Sequence, residues 1–327
     1  MAINKERLSY VDKACGIAIL LVVYGHIWFP ETISTNWYLF SQKFVYQFHM
    51  PLFMCLSGFL AFLSVNNKNI KTKQEYFSYQ KRKLYKFLPV CLLAVLTAVL
   101  LDIFYYGLAA EQIYKNIFTA IFIPASGTAA FIWYLYVLFG FYLITPFLID
   151  LKRGTQFLML FGAFFLTNFK DNVSPLFSTD LFCKYFFFFL VGGLIYLFRK
   201  QFVAYLIRNG RWILLLSIVL MFIDLINDLN LPYQVISIGA ILSVMYISIL
   251  KWPKPISNLF ILLGKSSFAI YILNSSIMNL FYIFYKSIIK LPIDWFFIFS
   301  TFIIAVFVSV LIRVIFNKII PSKVYSL

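Results

Sequence analysis

Apolar residues in this chain come in long, nearly unbroken runs. They show neither the three-and-four spacing of an amphipathic surface helix nor the strict alternation of a half-buried strand. The runs fall at about 11–30, 44–64, 87–107, 129–149, 156–169, 181–198, 211–228, 233–250, 259–285 and 293–316. A run of roughly 20 such residues is what a helix needs to cross about 30 Å of hydrocarbon. Lipid offers no hydrogen-bond partner to the backbone, so spans of this kind fold as helices. None is a ten-residue alternating segment of the outer-membrane barrel type. The pattern predicts an all-α integral membrane protein, a bundle of about ten transmembrane helices. They form one domain over 1–327 with no appended soluble domain and no internal repeat. The run at 156–169 is short, and 117–125 has the character of a re-entrant or interfacial piece. The first run follows Lys5 and Arg7, as a signal-peptide core would. It has no small-x-small cleavage site and is as long as a span, so it reads as the first helix.

Composition agrees with lipid as the solvent: 62% of residues are hydrophobic and 12% charged, against about 25% charged in soluble domains. The net charge of +16 raises nucleic-acid binding, but its distribution argues for topology instead. With the N-terminus in the cytoplasm, 22 of the 28 Lys and Arg residues fall on the inner side, densest from Lys68 to Lys86. The other face holds Lys43, Lys115, Lys170, Lys184, Lys286 and Lys290. The positive-inside rule then fixes both termini in the cytoplasm, as an even number of spans requires. The charge reads as orientation and contact with anionic membrane lipid, with no nucleic-acid partner. Cys15, Cys55, Cys91 and Cys183 lie in or beside apolar runs without CxxC spacing. They read as small buried hydrophobes, with neither a disulfide nor a metal site.

Topology gives each polar residue a depth. At about 1.5 Å per residue, His26 lies about 22 Å up the first span and His49 about 7 Å below the outer end of the second. These are the chain's two histidines, and they share one layer in the outer half of the membrane. The same arithmetic brings Asp102, Asp224, Asn274, Trp133 and Tyr134 to that level. Ionisable residues inside a membrane are costly and face a cavity or a partner by default. A neutral imidazole can take a proton from a hydroxyl as that oxygen attacks a thioester. Asp102 or Asp224 can orient the ring and stabilise its imidazolium. The histidine can equally carry the acyl group covalently; the sequence leaves both routes open.

Five motifs recur in a familiar order: DKACGIAILLVVYGH at 12–26, FHMPLFMCLSGF at 48–59, KRKLYKFLP at 81–89, WYLYVLFGFYLITP at 133–146 and LGKSSFAIYILN at 263–274. Together they resemble the acyltransferase-3 family of membrane acyltransferases, in particular bacterial sugar O-acetyltransferases of the enterobacterial-common-antigen and fucose-acetylating type. The resemblance implies a multi-pass protein of the bacterial cytoplasmic membrane. Acetyl-CoA is then the donor substrate, no cofactor is permanently bound, and the acceptor is a sugar or lipid-linked glycan. It places the family's essential first-helix histidine on His26, its second-helix histidine on His49, and its basic pair ahead of a proline on Lys83 and Lys86. Arg82 stands beside that pair, in a run suited to the phosphates of CoA. A basic residue usual before the glycine of the first motif is Cys15 here, with Lys13 close by as the substitute donor contact. The histidine that often ends the last motif is Asn274. On this reading Trp133, Tyr134 and Asn274 serve the acceptor, and Ser57-Gly58 serves close helix packing.

Two other classes fit the same polar layer. One is a transporter or flippase for a glycan-lipid, although no inverted repeat or pair of broken helices is present. The other is a binding or sensor component without catalysis.

Overall fold

The computed structural model describes residues 8–27, 29, 35–68, 70–104, 107–127, 130–227, 229 and 231–319. Lys5, Arg7 and Lys323, part of the inner charge count, lie outside them, as does the end of the first apolar run. The chain forms two compact units, Met1–Leu56 with Phe198–Leu327, and Ser57–Leu197.

The first unit contains α1 (Ser9–Gly25), α2 (Asn36–Tyr46), the start of α3 (His49–Lys68), α9 (Arg199–Asn227), α10 (Tyr233–Ile249), α11 (Lys254–Phe284) and α12 (Trp295–Ile319). A π-helical turn, Tyr285–Ile289, continues α11. Helix α1 is enclosed by the others: Ala14, Ala18, Ile19 and Val23 are fully buried. Small residues let it meet α11 backbone to backbone. A Cβ on Gly16 would stand 2.4 Å from the Phe260 carbonyl oxygen, and one on Gly264 1.8 Å from that of Asp12. Without a hydrophobic drive between helices in lipid, such close packing is what holds them together.

The second unit contains the rest of α3, then α4 (Lys73–Phe104), α5 (Ala110–Phe122), α6 (Trp133–Ile149), α7 (Arg153–Leu166) and α8 (Thr179–Leu197). Its core is aromatic: Phe141 of α6 stacks on Phe189 of α8 at 4.4 Å and on Phe186 at 5.8 Å. Gly58 serves packing as expected, since a Cβ there would meet the Phe189 carbonyl oxygen at 2.0 Å. Pro146 inside α6 has no N–H, so the carbonyl of Tyr142, four residues back, has no helical donor. Gln80 Nε2 supplies one at 2.9 Å.

Every expected apolar run forms a helix. Among the described residues, seven stretches, Asn36–Lys68, Lys73–Phe104, Ala130–Ile149, Leu176–Leu197, Arg199–Asn227, Lys254–Ile289 and Trp295–Ile319, are long and apolar enough to cross a membrane. The runs expected at 11–30, 156–169 and 233–250 become helices of 17, 14 and 17 residues, each shorter than those seven. The piece at 117–125 belongs to α5 and a following 3-10 turn, Pro124–Ser126.

Candidate active site

The second span is broken at the place where the chemistry was expected. Pro51 lacks an N–H, so the carbonyl of Gln47 loses its helical partner. Helix α2 ends at Tyr46, and α3 starts afresh at His49. The Gln47 carbonyl is satisfied instead by the buried Ser237 hydroxyl of α10, 2.8 Å away. His49 is therefore the first residue after a break, rather than a position well inside a smooth helix.

His26 stands at the other end of a helix. It caps α1 with φ −98° and ψ 7°, outside the helical region. Its Nδ1 lies 2.6 Å from the Val22 carbonyl oxygen. A carbonyl only accepts, so Nδ1 carries the hydrogen. The neutral ring then presents the lone pair of Nε2. His26 is half-buried, and among the described residues its Nε2 has no hydrogen-bond partner. His49 also has its Nδ1 against the carbonyl four residues back, 3.1 Å from that of Val45, and is 3% exposed. The two rings lie edge to face with centroids 6.0 Å apart. The end of α1 also carries the partial negative charge of its last carbonyls, which favours a positive charge forming on His26.

Other expected site residues of this unit act at one remove or elsewhere. Asp224 accepts from Gln47 Nε2 at 3.1 Å and from the Leu231 N–H at 2.9 Å. It thus holds the α2–α3 break, two residues before His49, and among the described residues these bonds do not run to an imidazole. Asn274, 3% exposed, turns its amide back onto the Ile270 and Tyr271 carbonyls of its own helix at 2.9 and 2.6 Å. Lys13 is also committed. Its ammonium donates to the Leu250 carbonyl, at the C-terminal end of α10, at 3.1 Å, and lies 5.0 Å over the Trp252 ring.

The remaining candidates belong to the second unit. Lys83 Nζ lies 3.9 Å over the Tyr142 ring and 5.2 Å from that of Tyr79. Arg82 donates to the Ser78 hydroxyl at 3.0 Å, and Lys86 is exposed. Helix α4 begins at Lys73, so this basic run lies within the helix rather than ahead of it. Asp102, 4% exposed, accepts from the Asn116 amide at 2.8 Å. Trp133 opens α6 instead of lying a turn inside it, and stacks on Tyr185 at 5.4 Å. Tyr134 is buried and shares a 2.6 Å hydrogen bond with Ser57.

The model of the acyltransferase domain matches residues 9–314, most of the chain and both units. The chain belongs to the acyltransferase-3 family. None of the curated proteins and none of the solved structures matches it. This acyltransferase is a multi-pass membrane protein by its family and its apolar helices. Sequence reasoning missed the residues that meet the chain beside the histidines: Gln42 and Tyr46, which donate to the Gly25 carbonyl, Gln47, which donates to Asp224, and Ser237, which donates to the Gln47 carbonyl. One signal was available. Pro51 implied an orphaned carbonyl at Gln47, and an orphan beside a candidate base needs a donor.

Proposed function

We propose that this acyltransferase moves an acetyl group from cytoplasmic acetyl-CoA to a hydroxyl of a cell-envelope or lipid-linked sugar, with both termini in the cytoplasm of a bacterial inner-membrane protein. The observation that carries the reading is the bond from His26 Nδ1 to Val22, which leaves Nε2 as a base. The sugar hydroxyl gives its proton to Nε2 as its oxygen attacks the thioester carbonyl. The tetrahedral intermediate collapses, the carbon–sulfur bond breaks, and the departing CoA sulfur takes the proton back from His26. The products are the O-acetyl sugar and free CoA. His49, one ring away, assists the same proton transfer. Arg82, Lys83 and Lys86 hold the phosphates of CoA, and Trp133 offers aromatic surface to the sugar. The excess of 22 of the 28 basic residues on one side supports the orientation.

The test uses membranes containing the protein, labelled acetyl-CoA and the envelope glycan fraction. His26→Ala is expected to lower transfer by about 100-fold or more, the usual scale of a lost general base. Transfer that survives this change removes His26 from the mechanism. Replacing Lys83 and Lys86 together by Ala raises the KM for acetyl-CoA with little change in kcat. An unchanged KM rejects those lysines as donor contacts.

A further inference from the structure

The carbonyl of Gly25 is the last of α1, and nothing within the helix can bond to it. Two side chains of α2, one turn apart, converge on it. Gln42 Nε2 donates to it at 2.8 Å and the Tyr46 hydroxyl at 3.0 Å. A third donor, the Tyr38 hydroxyl, takes the preceding carbonyl of Tyr24 at 2.7 Å. Glycine is what admits Tyr46 here, because a Cβ at position 25 would lie 3.1 Å from its ring. The same Tyr46 ring leans on His49, with centroids 4.6 Å apart. One side chain thus touches the peptide that carries His26 and the imidazole of His49.

We propose that Tyr46, aided by Gln42, is a positioning residue that fixes both histidines, and above all the tautomer of His26. His26 folds its ring back onto Val22 in the last turn of α1, where its own backbone N–H also bonds the Val22 and Val23 carbonyls. Among the described residues, the side chain at the cap position, His26, bonds Val22 rather than the Gly25 carbonyl. Gln42 and Tyr46 act as an external cap. With both donors removed, the Gly25 carbonyl is left without its partners, the end of α1 loosens, and His26 loses its fixed acceptor. Its proton then divides between Nδ1 and Nε2, and the fraction of rings with a lone pair on Nε2 falls.

The proposal rests on the acyl-transfer reading for its kinetic consequence, but not for its geometry. With only His26 and His49 to observe, the protein labelled with 13C,15N-histidine in lipid bilayers gives two assignable ring systems by solid-state NMR. Both are expected as the Nδ1–H tautomer in the wild type. Tyr46→Phe keeps the ring against His49 and loses the hydroxyl. It should give His26 a partial Nε2–H signal while His49 stays unchanged, which also shows that the variant is folded. Adding Gln42→Leu should complete the shift. In the acetyl-transfer assay, Tyr46→Phe lowers kcat by about tenfold, the scale of one lost hydrogen bond, with the KM for acetyl-CoA within about twofold. A wild-type tautomer pattern in the double variant overturns the assignment whether or not an acceptor is in hand. An equal fall of kcat and rise of KM makes Tyr46 a general scaffold residue and overturns it too. Absence of transfer by the wild type refutes the functional reading alone, and the tautomer signals still decide the positioning role.

Discussion

The break ahead of His49 can be measured as a coupling between Pro51 and Ser237. Ser237 is fully buried and its hydroxyl is the donor that replaces the N–H missing at Pro51. Ser237→Ala removes that donor. An orphaned buried carbonyl costs about 1–3 kcal/mol in water-soluble proteins. Hydrogen bonds between membrane helices average about 0.6 and reach about 1.7 kcal/mol. A cost of about 1 kcal/mol is therefore expected. Pro51→Ala restores an N–H four residues after Gln47, so α2 and α3 can bond through the break. In that background Ser237→Ala should cost close to nothing. The assay is reversible unfolding of the four proteins in mixed micelles, read as a double-mutant cycle. The coupling free energy should approach the full cost of the single Ser237 change. Equal costs in both backgrounds would refute the argument that Ser237 serves the carbonyl that Pro51 orphans. Acetyl transfer supplies a second reading: healing the break turns His49, so Pro51→Ala lowers kcat even where it leaves stability intact.

Two further outcomes follow from the same contacts. Lys13→Met removes a cation from the Trp252 ring and a donor from Leu250; it should cost about 1–2 kcal/mol in unfolding free energy. It should leave the KM for acetyl-CoA unchanged, because the ammonium is already committed within the protein. Gly264→Ala drives a Cβ to 1.8 Å from the Asp12 carbonyl oxygen; a loss of about 1–3 kcal/mol and a lower thermal midpoint are expected, whereas a wild-type midpoint would contradict the backbone contact of α1 with α11.

Much of this was legible in the sequence because it depends on local, periodic physics. Hydrophobic runs must be helices in lipid, and each of the runs formed one. The sequence places His26 and His49 at one level, since consecutive antiparallel spans bring the end of one to the level of the start of the next; that their rings lie 6.0 Å apart is not in the pattern. What escaped depends on where single side chains reach. Asp224 shares the expected layer with the histidines, yet its carboxylate goes to Gln47 and to the Leu231 N–H. Lys13 stood at the expected inner end, but a helix terminus 237 positions away claims its ammonium. Depth fixes one coordinate of a side chain; direction around the helix axis fixes the others, and runs of uniformly apolar residues leave that direction unmarked. Pro51 counts in the sequence as part of a motif, although its missing N–H already leaves the Gln47 carbonyl in need of an outside donor. The span count shows the same limit, since α1, α7 and α10 are apolar but short.

The shortness of α1 bears on how a water-soluble chemistry is carried out in a membrane protein. Its 17 residues reach about 25 Å, less than the roughly 30 Å of hydrocarbon around them. A helix of that length that starts at one face of the hydrocarbon ends about one turn short of the other, and His26 stands at its tip. For the acetyl transfer proposed above, a sugar would then need to bring one hydroxyl to that depth, while its lipid or glycan remainder stays at the surface.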